Sequence, residues 1–255
     1  MNIPHSAFRI PHFVSWVLAG VLLFPALAWA QTPAMRWWFP ENYSTYGPHI
    51  DRLFTLILWV TGIMFVLVEG ALVWFLIRYR ARQGQSASYV HGNVVVEIIW
   101  TVIPALIVLY LALGSQRVWS HVRGTPPAHQ LEVRVTAEQF AWNMTYPGPD
   151  GMLDTPDDLQ TINQLHIPLD QVVLVHVTSK DVIHSFFLPQ FRVKLDAVPG
   201  LTGRLWLQAT KTGQGEIACA ELCGLGHYRM RGFFTVESLD AFQAWLAQVQ
   251  AEQTS

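Results

Sequence analysis

The stretch Cys219-Ala-Glu-Leu-Cys223-Gly-Leu-Gly-His227-Tyr-Arg-Met230 contains the densest group of metal-binding side chains in the sequence. It includes the only two cysteines among 255 residues, and a histidine and a methionine follow them at short intervals. Thiolate, imidazole and thioether groups are soft to borderline ligands, which suit copper far better than Mg²⁺ or Ca²⁺. Two glycines give the backbone the freedom to fold back around an ion. The stretch therefore predicts a copper-binding loop.

Two other interpretations of the cysteine pair stay open. A disulfide between Cys219 and Cys223 would close a very short loop and would constrain the unfolded chain little. It would also leave His227 and Met230 without a role. Zinc could be bound by two cysteines and two histidines. Met230 favours copper, because a thioether sulfur is a ligand of copper much more than of zinc.

A further ligand is expected upstream, because one histidine and one methionine beside two thiolates are too few for two metal ions. His184 follows the apolar, strand-like run 172–177 at a point where a loop is expected to begin. A lone histidine in such a place is more often an ordinary polar residue than a ligand. Because the cysteine loop lies downstream, His184 is nevertheless predicted to bind the metal.

Three motifs together resemble subunit II of haem–copper cytochrome c oxidases: Cys-x-Glu-x-Cys-x3-His-x2-Met, Asp-Val-Ile-His-Ser-Phe and Lys194-Leu-Asp-Ala-Val-Pro-Gly200. The resemblance extends from the first predicted membrane segment to about residue 237. It implies a dinuclear copper A (CuA) centre on a cupredoxin-like Greek-key β-barrel. It implies these ligands: His184 and Met230 for one copper ion, His227 and the Glu221 backbone carbonyl for the other, and Cys219 and Cys223 bridging both.

The resemblance also implies roles for residues outside the copper ligands. Glu97 would mark the entrance of a proton path into subunit I. Phe140 occupies the usual electron-entrance position, which in the family is a tryptophan, and Trp142 matches a second aromatic residue of the same patch. The Glu221 side chain would reach a Mg²⁺ ion shared with subunit I, and Asp196 would line that interface. Taken alone, Glu97 would be interpreted as a carboxylate at the lipid headgroups. The two aromatic residues would be interpreted as core residues, and Glu221 and Asp196 as members of simple ion pairs.

The composition indicates a membrane-anchored protein. Hydrophobic residues make up 51% of the sequence and charged residues 13%, and the mean hydropathy is +0.27. These values are too apolar for an ordinary soluble domain. Residues 53–77 and 94–113 are long and apolar enough to span a membrane. The basic cluster Arg78-Tyr-Arg80-Ala-Arg82 between the two spans predicts that their connecting loop is cytoplasmic. The segments before the first span and after the second would then lie on the outer face.

Residues 1–30 have the pattern of a secretory signal peptide. Arg9 precedes an apolar run, and Ala28-Trp29-Ala30 forms a cleavage site of the A-x-A type. We expect cleavage, although an uncleaved anchor is the alternative. Residues 31–119 would then form a lead-in and a transmembrane hairpin, and residues 120–255 an extracytoplasmic copper domain. The expected location is the bacterial inner membrane, with two spans and the copper domain on the periplasmic face.

The last part of the chain has the pattern of a β domain. Short alternating runs separated by Gly and Pro turns predict a sandwich or barrel. The predicted strands are 131–137, 172–177, 203–209, 215–218 and 232–236. A Ser N-cap predicts an amphipathic terminal helix over 238–250. The sequence therefore predicts a membrane-anchored all-β protein, a two-helix hairpin followed by the barrel.

Charge and the resemblance together suggest the partners. The chain has a formal net charge of −2, which gives no indication of nucleic-acid binding. From residue 120 onward there are 14 acidic and 9 basic residues, and an acidic surface attracts a basic partner. The resemblance implies electron transfer from cytochrome c to haem in subunit I, where O₂ is reduced to water with proton pumping, and contact with subunit III. No Cys-x-x-Cys-His is present, so no covalent haem is expected on this chain.

Three rival functions are weighed against this interpretation. A single-copper electron-transfer cupredoxin or copper carrier is the main alternative, but one cysteine would suffice for it. Subunit II of a quinol oxidase shares the hairpin and barrel but lacks the copper ligands. Nitrous oxide reductase has a similar copper loop, and the membrane spans argue against it.

Overall fold

The computed structural model describes residues 38–86, 88–89 and 91–254. The predicted signal peptide and the first part of the lead-in lie outside these residues. Two long helices come first, α1 (Gly47–Arg78) and α2 (Val94–Arg123). Both predicted spans are confirmed as helical, but both helices are longer than the spans. At a rise of about 1.5 Å per residue, 32 residues extend about 48 Å, which exceeds a hydrocarbon core of about 30 Å.

The surface of the two helices is apolar on nearly all sides. Gly47 is the only buried residue of α1, and α2 has none. A helix that is apolar all round without a protein core to cover it is suited to lipid. The start of α2 is defined by Asn93, whose side chain accepts hydrogen bonds from the amides of Val95 and Val96 at 3.0 and 3.3 Å. The expected boundary at residues 119/120 falls inside α2.

Ten strands among the described residues form two five-stranded sheets. In spatial order, the first sheet contains β3 (Leu159–Ile162), β2 (Ala141–Tyr146), β1 (Leu131–Glu138), β5 (Val172–Ser179) and β8 (Gly203–Gln208). The second contains β4 (Gln164–Pro168), β10 (Arg231–Glu237), β9 (Gly213–Cys219), β6 (His184–Leu188) and β7 (Val193–Ala197). Each sheet has one parallel pair, β1–β5 and β4–β10, and its other pairs are antiparallel.

The alternation of side chains explains the core. In β1 the apolar residues Val133, Val135 and Ala137 are buried, and their polar neighbours face outward. Large aromatic side chains complete the interior, among them Trp142 and Phe186, which are fully buried. All five predicted strands are confirmed, with ends shifted by up to two residues. The prediction missed β2, β3, β4, β6 and β7.

The helix α3 (Leu239–Thr254) ends the described chain. The predicted Ser N-cap is confirmed, because Ser238 Oγ accepts a hydrogen bond from the amide of Ala241 at 3.3 Å. The helix continues four residues beyond the predicted end. The segment before α1 is attached to the barrel, since the buried Tyr46 hydroxyl donates to the Trp206 carbonyl at 3.1 Å.

An ion pair joins α1 to the β domain. The Arg192 guanidinium binds both carboxylate oxygens of Asp51, at 2.8 and 3.1 Å, and its side chain is only 6% exposed. We expect Asp51→Asn to destabilise the protein by about 2 kcal/mol, because it removes the charge-assisted, two-pronged hydrogen bonding between this carboxylate and a largely buried guanidinium. Thermal unfolding of the chain in detergent measures the effect. Glu138→Gln is the control, because the exposed Lys180–Glu138 pair is expected to contribute less than about 0.5 kcal/mol. Equal losses in both variants would contradict this prediction.

Candidate metal centre

The cysteine-containing loop connects two neighbouring antiparallel strands. Cys219 is the last residue of β9, and β10 begins at Arg231. The Cys219 amide donates to the Met230 carbonyl at 3.3 Å, which joins the two ends of the loop. A 3₁₀ turn over His227–Arg229 reverses the chain between them. The loop is thus a return connection anchored on two paired strands.

Strand pairing brings His184 to this loop. β6 pairs with β9, with Phe186 opposite Cys219, and His184 is the first residue of β6. The expectation that His184 stands at the start of a loop is therefore wrong. Residues 184–188 form a strand although the sequence before them is polar, because neighbouring strands cover them and bury almost all of their side chains. As a strand residue, His184 is fully buried and its position is set by backbone pairing.

Cys223 is the centre of the cluster of predicted ligands. Its Sγ lies 3.8 Å from Cys219 Sγ, 3.6 Å from His227 Nδ1 and 3.7 Å from Met230 Sδ. Cys219 Sγ lies 4.0 Å from His184 Nδ1 and 3.2 Å from the Glu221 carbonyl oxygen. All six predicted copper ligands are therefore brought together.

The donor set fits copper. Both cysteines are free, and their sulfur separation is far longer than the roughly 2.05 Å of a disulfide. The ligand atoms of His184, Cys219 and Cys223 all lie within 4.8 Å of one another. Burial and the hydrogen bond with Cys219 raise the pKa of the Cys223 thiol to about 11. A cation at this place would reverse that effect, because bound thiolates are deprotonated.

Asp181 and Gln139, which the sequence analysis did not identify, form hydrogen bonds to the ligand residues. The Asp181 carboxylate accepts hydrogen bonds from His184 Nε2 at 2.8 Å and from the Gln139 amide at 2.7 Å. The Gln139 side chain donates to the Cys223 carbonyl at 2.5 Å. Burial acts to raise the pKa of Asp181, but these bonds and that from the Val182 amide outweigh it and lower the pKa to about 2. The Asp-x-x-His spacing was the available signal, since a ligand histidine usually donates its second nitrogen to a carboxylate.

The carboxylate of Asp181 is expected to orient His184 for metal binding. We expect Asp181→Asn to weaken copper binding by about 10- to 100-fold, the usual effect of losing such a partner of a ligand. Competition with a copper chelator measures the change. Asp240→Asn is the matched control, since Asp240 lies in the first turn of α3, away from the loop. Unaltered copper affinity in Asp181→Asn would rule out the orienting role.

The predicted aromatic patch divides into a buried and a half-buried part. Trp142 is fully buried, and its ring meets His184 and Phe186 edge-on at centroid distances of 6.2 and 5.3 Å. Phe140 is half-buried and covers the loop, where a Cβ atom at Gly226 would overlap its ring. The small size of Gly226 is therefore required for the close approach of Phe140. Trp142 adjoins the ligand His184 and Phe140 adjoins the ligand loop, and their role in electron transfer stays a prediction.

The remaining predicted site residues lie elsewhere. Asp196 is 52% exposed and accepts hydrogen bonds from Ser185 at 2.6 Å and from Lys194 at 2.7 Å. The contact with Lys194 is an ion pair, which is the interpretation of Asp196 that the residue alone would suggest. Glu97 lies in the first turn of α2, at the far end of that helix from the β domain. The structure therefore does not bring Glu97 to the ligand cluster.

A hairpin of two lipid-suited helices, followed by a two-sheet domain with a soft-ligand loop, defines a membrane-anchored protein of the cupredoxin-like class. Residues 131–237 match the family described as cytochrome C oxidase subunit II, periplasmic domain. Residues 31–118 match the family described as cytochrome C oxidase subunit II, transmembrane domain. The chain therefore belongs to the cytochrome c oxidase subunit II family.

Several curated relatives cover most of the chain. The alternative cytochrome c oxidase subunit 2 of Bradyrhizobium diazoefficiens is 31% identical over 234 residues, which are 83% of this chain and 84% of the relative. Cytochrome c oxidase subunit 2 of Thermostichus vulcanus is 32% identical over 270 residues, 85% of this chain and 80% of the relative. The crystal structure of the periplasmic domain of subunit II of cytochrome oxidase from Bradyrhizobium japonicum is 30% identical, covers 50% of this chain and 99% of that domain, and has a TM-score of 0.46.

Membership of this family makes the chain a subunit of cytochrome c oxidase. The protein is anchored in the membrane by its apolar helices and carries its β domain outside. The family also implies copper, which agrees with the soft ligands on the loop.

Proposed function

We propose that this chain is the electron-accepting subunit of its oxidase. It would take electrons from cytochrome c at a dinuclear CuA centre and pass them to haem in subunit I, where O₂ is reduced to water and protons are pumped. One observation carries the proposal: two imidazoles, a thioether and a carbonyl each lie within 4.0 Å of one of two free thiols, five of these donors on the loop between β9 and β10 and the sixth, His184, on the neighbouring strand β6. A single copper ion would need only one thiolate.

The arrangement supports a specific distribution of ligands. The two sulfurs are neighbours, Cys219 lies next to His184 and the Glu221 carbonyl, and Cys223 lies next to His227 and Met230, which suits thiolates that bridge two ions. His184 and Met230 would complete one position, and His227 with the Glu221 carbonyl the other. A pair of copper ions bound there would accept and release one electron at a time.

The protein contributes rigidity and exclusion of water. His184, Cys223 and Met230 are all buried, and paired strands hold both ends of the loop. Ligands that cannot move keep the same geometry in both oxidation states, which lowers the reorganisation barrier. The Asp181 carboxylate holds His184 Nε2, so that Nδ1 faces the thiol of Cys219.

An exposed apolar surface supports electron delivery at the loop. Leu222 is 77% and Leu225 97% exposed, and with Val182 and Ile183 they border a shallow cleft that reaches Cys223. Exposed apolar patches of this kind indicate contact with a partner protein. We propose cytochrome c as this partner, with electrons entering through Phe140 or Trp142. The acidic excess of the domain would steer a basic donor.

The other predicted roles belong to the assembled complex. Glu97 would be the entrance of a proton path, and Glu221 with Asp196 would contact a Mg²⁺ ion shared with subunit I. Subunit III would be a further partner. We propose cleavage after residue 30, a bacterial inner-membrane location with two spans, and a periplasmic copper domain from about residue 120.

Electron paramagnetic resonance of the copper-loaded full chain in detergent tests the proposal. One electron shared equally by two spin-3/2 copper nuclei gives a seven-line hyperfine pattern, which is expected to be lost in Cys219→Ser. A four-line pattern would indicate one localised copper and favour the single-copper carrier. Absence of any copper signal, together with a Cys219–Cys223 disulfide found by mass spectrometry, would overturn the proposal.

A further inference from the structure

A cleft of about 640 Å³ opens where the two membrane helices meet the β domain. It is bordered by α1, by the last turns of α2 and by the start of β7. Its walls toward the membrane are mostly apolar and include Leu53 of α1 and Ala112 of α2. Its end toward the β domain is basic, because Arg123, Arg192 and Lys194 line it. The cleft therefore changes from apolar to cationic along its length.

The cleft lies at the outer surface of the bilayer. The β domain is outside, so the helix ends that join it, Gly47 and Arg123, are the outer ends. About 20 helical residues cross the hydrocarbon core, which puts its outer boundary roughly at residue 58 of α1 and roughly at residue 114 of α2. The exposed Trp119 lies about 8 Å beyond this boundary, at the headgroup level that tryptophan favours. The Arg123 guanidinium, 5.5 Å from the Trp119 ring centre, is held near the same level.

Arg123 is fixed in place but keeps hydrogen-bonding capacity. Its Nη2 atom donates to the Lys194 carbonyl at 2.8 Å, which joins the last residue of α2 to β7. A guanidinium has five N–H donors, so this contact leaves others for a further acceptor. Among the described residues, no carboxylate forms an ion pair with Arg123, whereas the other two cations of the cleft both have one. Its charge is therefore available to an anion in the cleft.

The charges at the basic end do not balance. Arg192 binds the carboxylate of Asp51, and Lys194 binds that of Asp196 at 2.7 Å. With Arg123, the three cations and two carboxylates leave one positive charge in excess. A phosphate diester carries one negative charge, and its oxygens suit the paired N–H groups of an arginine. The charge and the level of the cleft together indicate the headgroup phosphate of a membrane lipid.

We propose that this cleft binds one anionic phospholipid of the outer leaflet, of the phosphatidylglycerol class. The phosphate would accept hydrogen bonds from Arg123, and Ser115 and Gln116, which line the same cleft, would donate to the ester oxygens. An acyl chain would lie against Leu53 and Ala112. Basic pockets beside membrane helices bind lipid headgroups in this way.

A lipid at this place would support the joint between the hairpin and the β domain. An apolar helix of a partner subunit would also cover the walls of the cleft, but it would leave the excess charge of Arg123 without a counter-ion. The bound phosphate would neutralise that charge where α2 contacts β7. β7 in turn pairs with β6, whose first residue is the predicted ligand His184. The lipid would thus help to fix the position of the copper loop above the bilayer.

Native mass spectrometry of the full chain, released from detergent micelles with added phosphatidylglycerol, tests this proposal. It is expected to show one saturable lipid per chain. Arg123→Gln is expected to weaken this binding at least about tenfold, because it removes a charge-assisted pair of hydrogen bonds. Ala112→Phe is also expected to weaken it, because the ring would fill the apolar part of the cleft. Arg204→Gln is the matched control: Arg204 is exposed on β8 and does not line the cleft, so its loss is expected to change nothing.

Three results would overturn the proposal: no saturable binding of phosphatidylglycerol, unchanged affinity in both cleft variants, or equally tight binding of inorganic phosphate, which has no acyl chains. Circular dichroism verifies that each variant folds. Ala112→Phe keeps the test decisive if Arg123→Gln disturbs the joint, since Ala112 is exposed and its replacement leaves every charge in place.

Photo-cross-linking identifies the occupant in the assembled oxidase. A photoreactive p-benzoylphenylalanine in place of Gln116, which lines the cleft, is expected to form a cross-link to a phospholipid, seen as added lipid mass on this chain. A cross-link to a partner subunit or to a second copy of this chain would instead show that protein fills the cleft, and the proposal would be wrong.

Discussion

Cys223→Ser is expected to abolish copper binding and to reduce oxidation of cytochrome c by the assembled oxidase to the background level. Cys223 Sγ is within 3.8 Å of Cys219 Sγ, His227 Nδ1 and Met230 Sδ, so its loss removes the one atom next to all three. A serine hydroxyl is a hard donor that stays protonated at neutral pH and cannot replace a thiolate on copper. Copper content per chain and O₂ consumption with reduced cytochrome c measure both effects.

Leu225→Ala provides the matched control for this prediction. Leu225 lies on the same loop, two residues after Cys223, but its side chain is 97% exposed and contributes no ligand. The Leu225→Ala variant is expected to keep its full copper content. Any effect on turnover is expected to come from weaker association with the electron donor. A Cys223→Ser protein with normal copper and normal turnover would show that the sulfur cluster is not the electron-accepting site.

Trp142→Ala is expected to destabilise the copper domain by about 3–5 kcal/mol, the usual range for an aromatic-to-alanine change in a core. Trp142 is fully buried, and its ring packs edge-on against Phe186 and against the ligand His184. The cavity would open directly behind a metal ligand, so copper affinity is expected to fall together with stability. Chemical unfolding of the full chain in detergent, followed by near-ultraviolet circular dichroism, measures the loss.

Trp142→Phe separates packing from hydrogen bonding at this position. The Trp142 Nε1 atom is buried and has no hydrogen-bond partner among the described residues. Phenylalanine therefore removes volume without breaking a hydrogen bond, and its destabilisation is expected to be clearly smaller than that of alanine. A change of less than about 1 kcal/mol in Trp142→Ala would mean that the core collapses around the site and does not support His184.

Much of the candidate site was predictable because its chemistry is local. Cys219, Cys223, His227 and Met230 lie within twelve consecutive residues, so the ligand types and their spacing can be recognised directly. The membrane helices were equally accessible, since a continuous apolar run of about 20 residues is long enough to cross the hydrocarbon core of a bilayer. The strands that were predicted, such as β1 and β5, have clear alternation or a continuous apolar run.

The missed strands lack that local signal. β3 and β4 have only four and five residues, and they mix polar and apolar side chains. β6 follows a polar turn and begins with the buried polar pair His184 and Ser185, which local hydropathy assigns to a loop. These segments are strands because neighbouring strands supply hydrogen bonds and cover them, and that contribution is not visible in their own residues.

The soft-ligand loop, the two apolar helices and the class of the following domain could all be predicted from the amino-acid sequence, because each depends on residues close together in the chain. Tertiary contacts were needed to show which distant residues complete the sites. His184 reaches Cys219 through the pairing of β6 with β9, and Gln139 meets Asp181 because the two residues follow the parallel neighbours β1 and β5. Strand register determines these contacts, and it results from the packing of the whole domain.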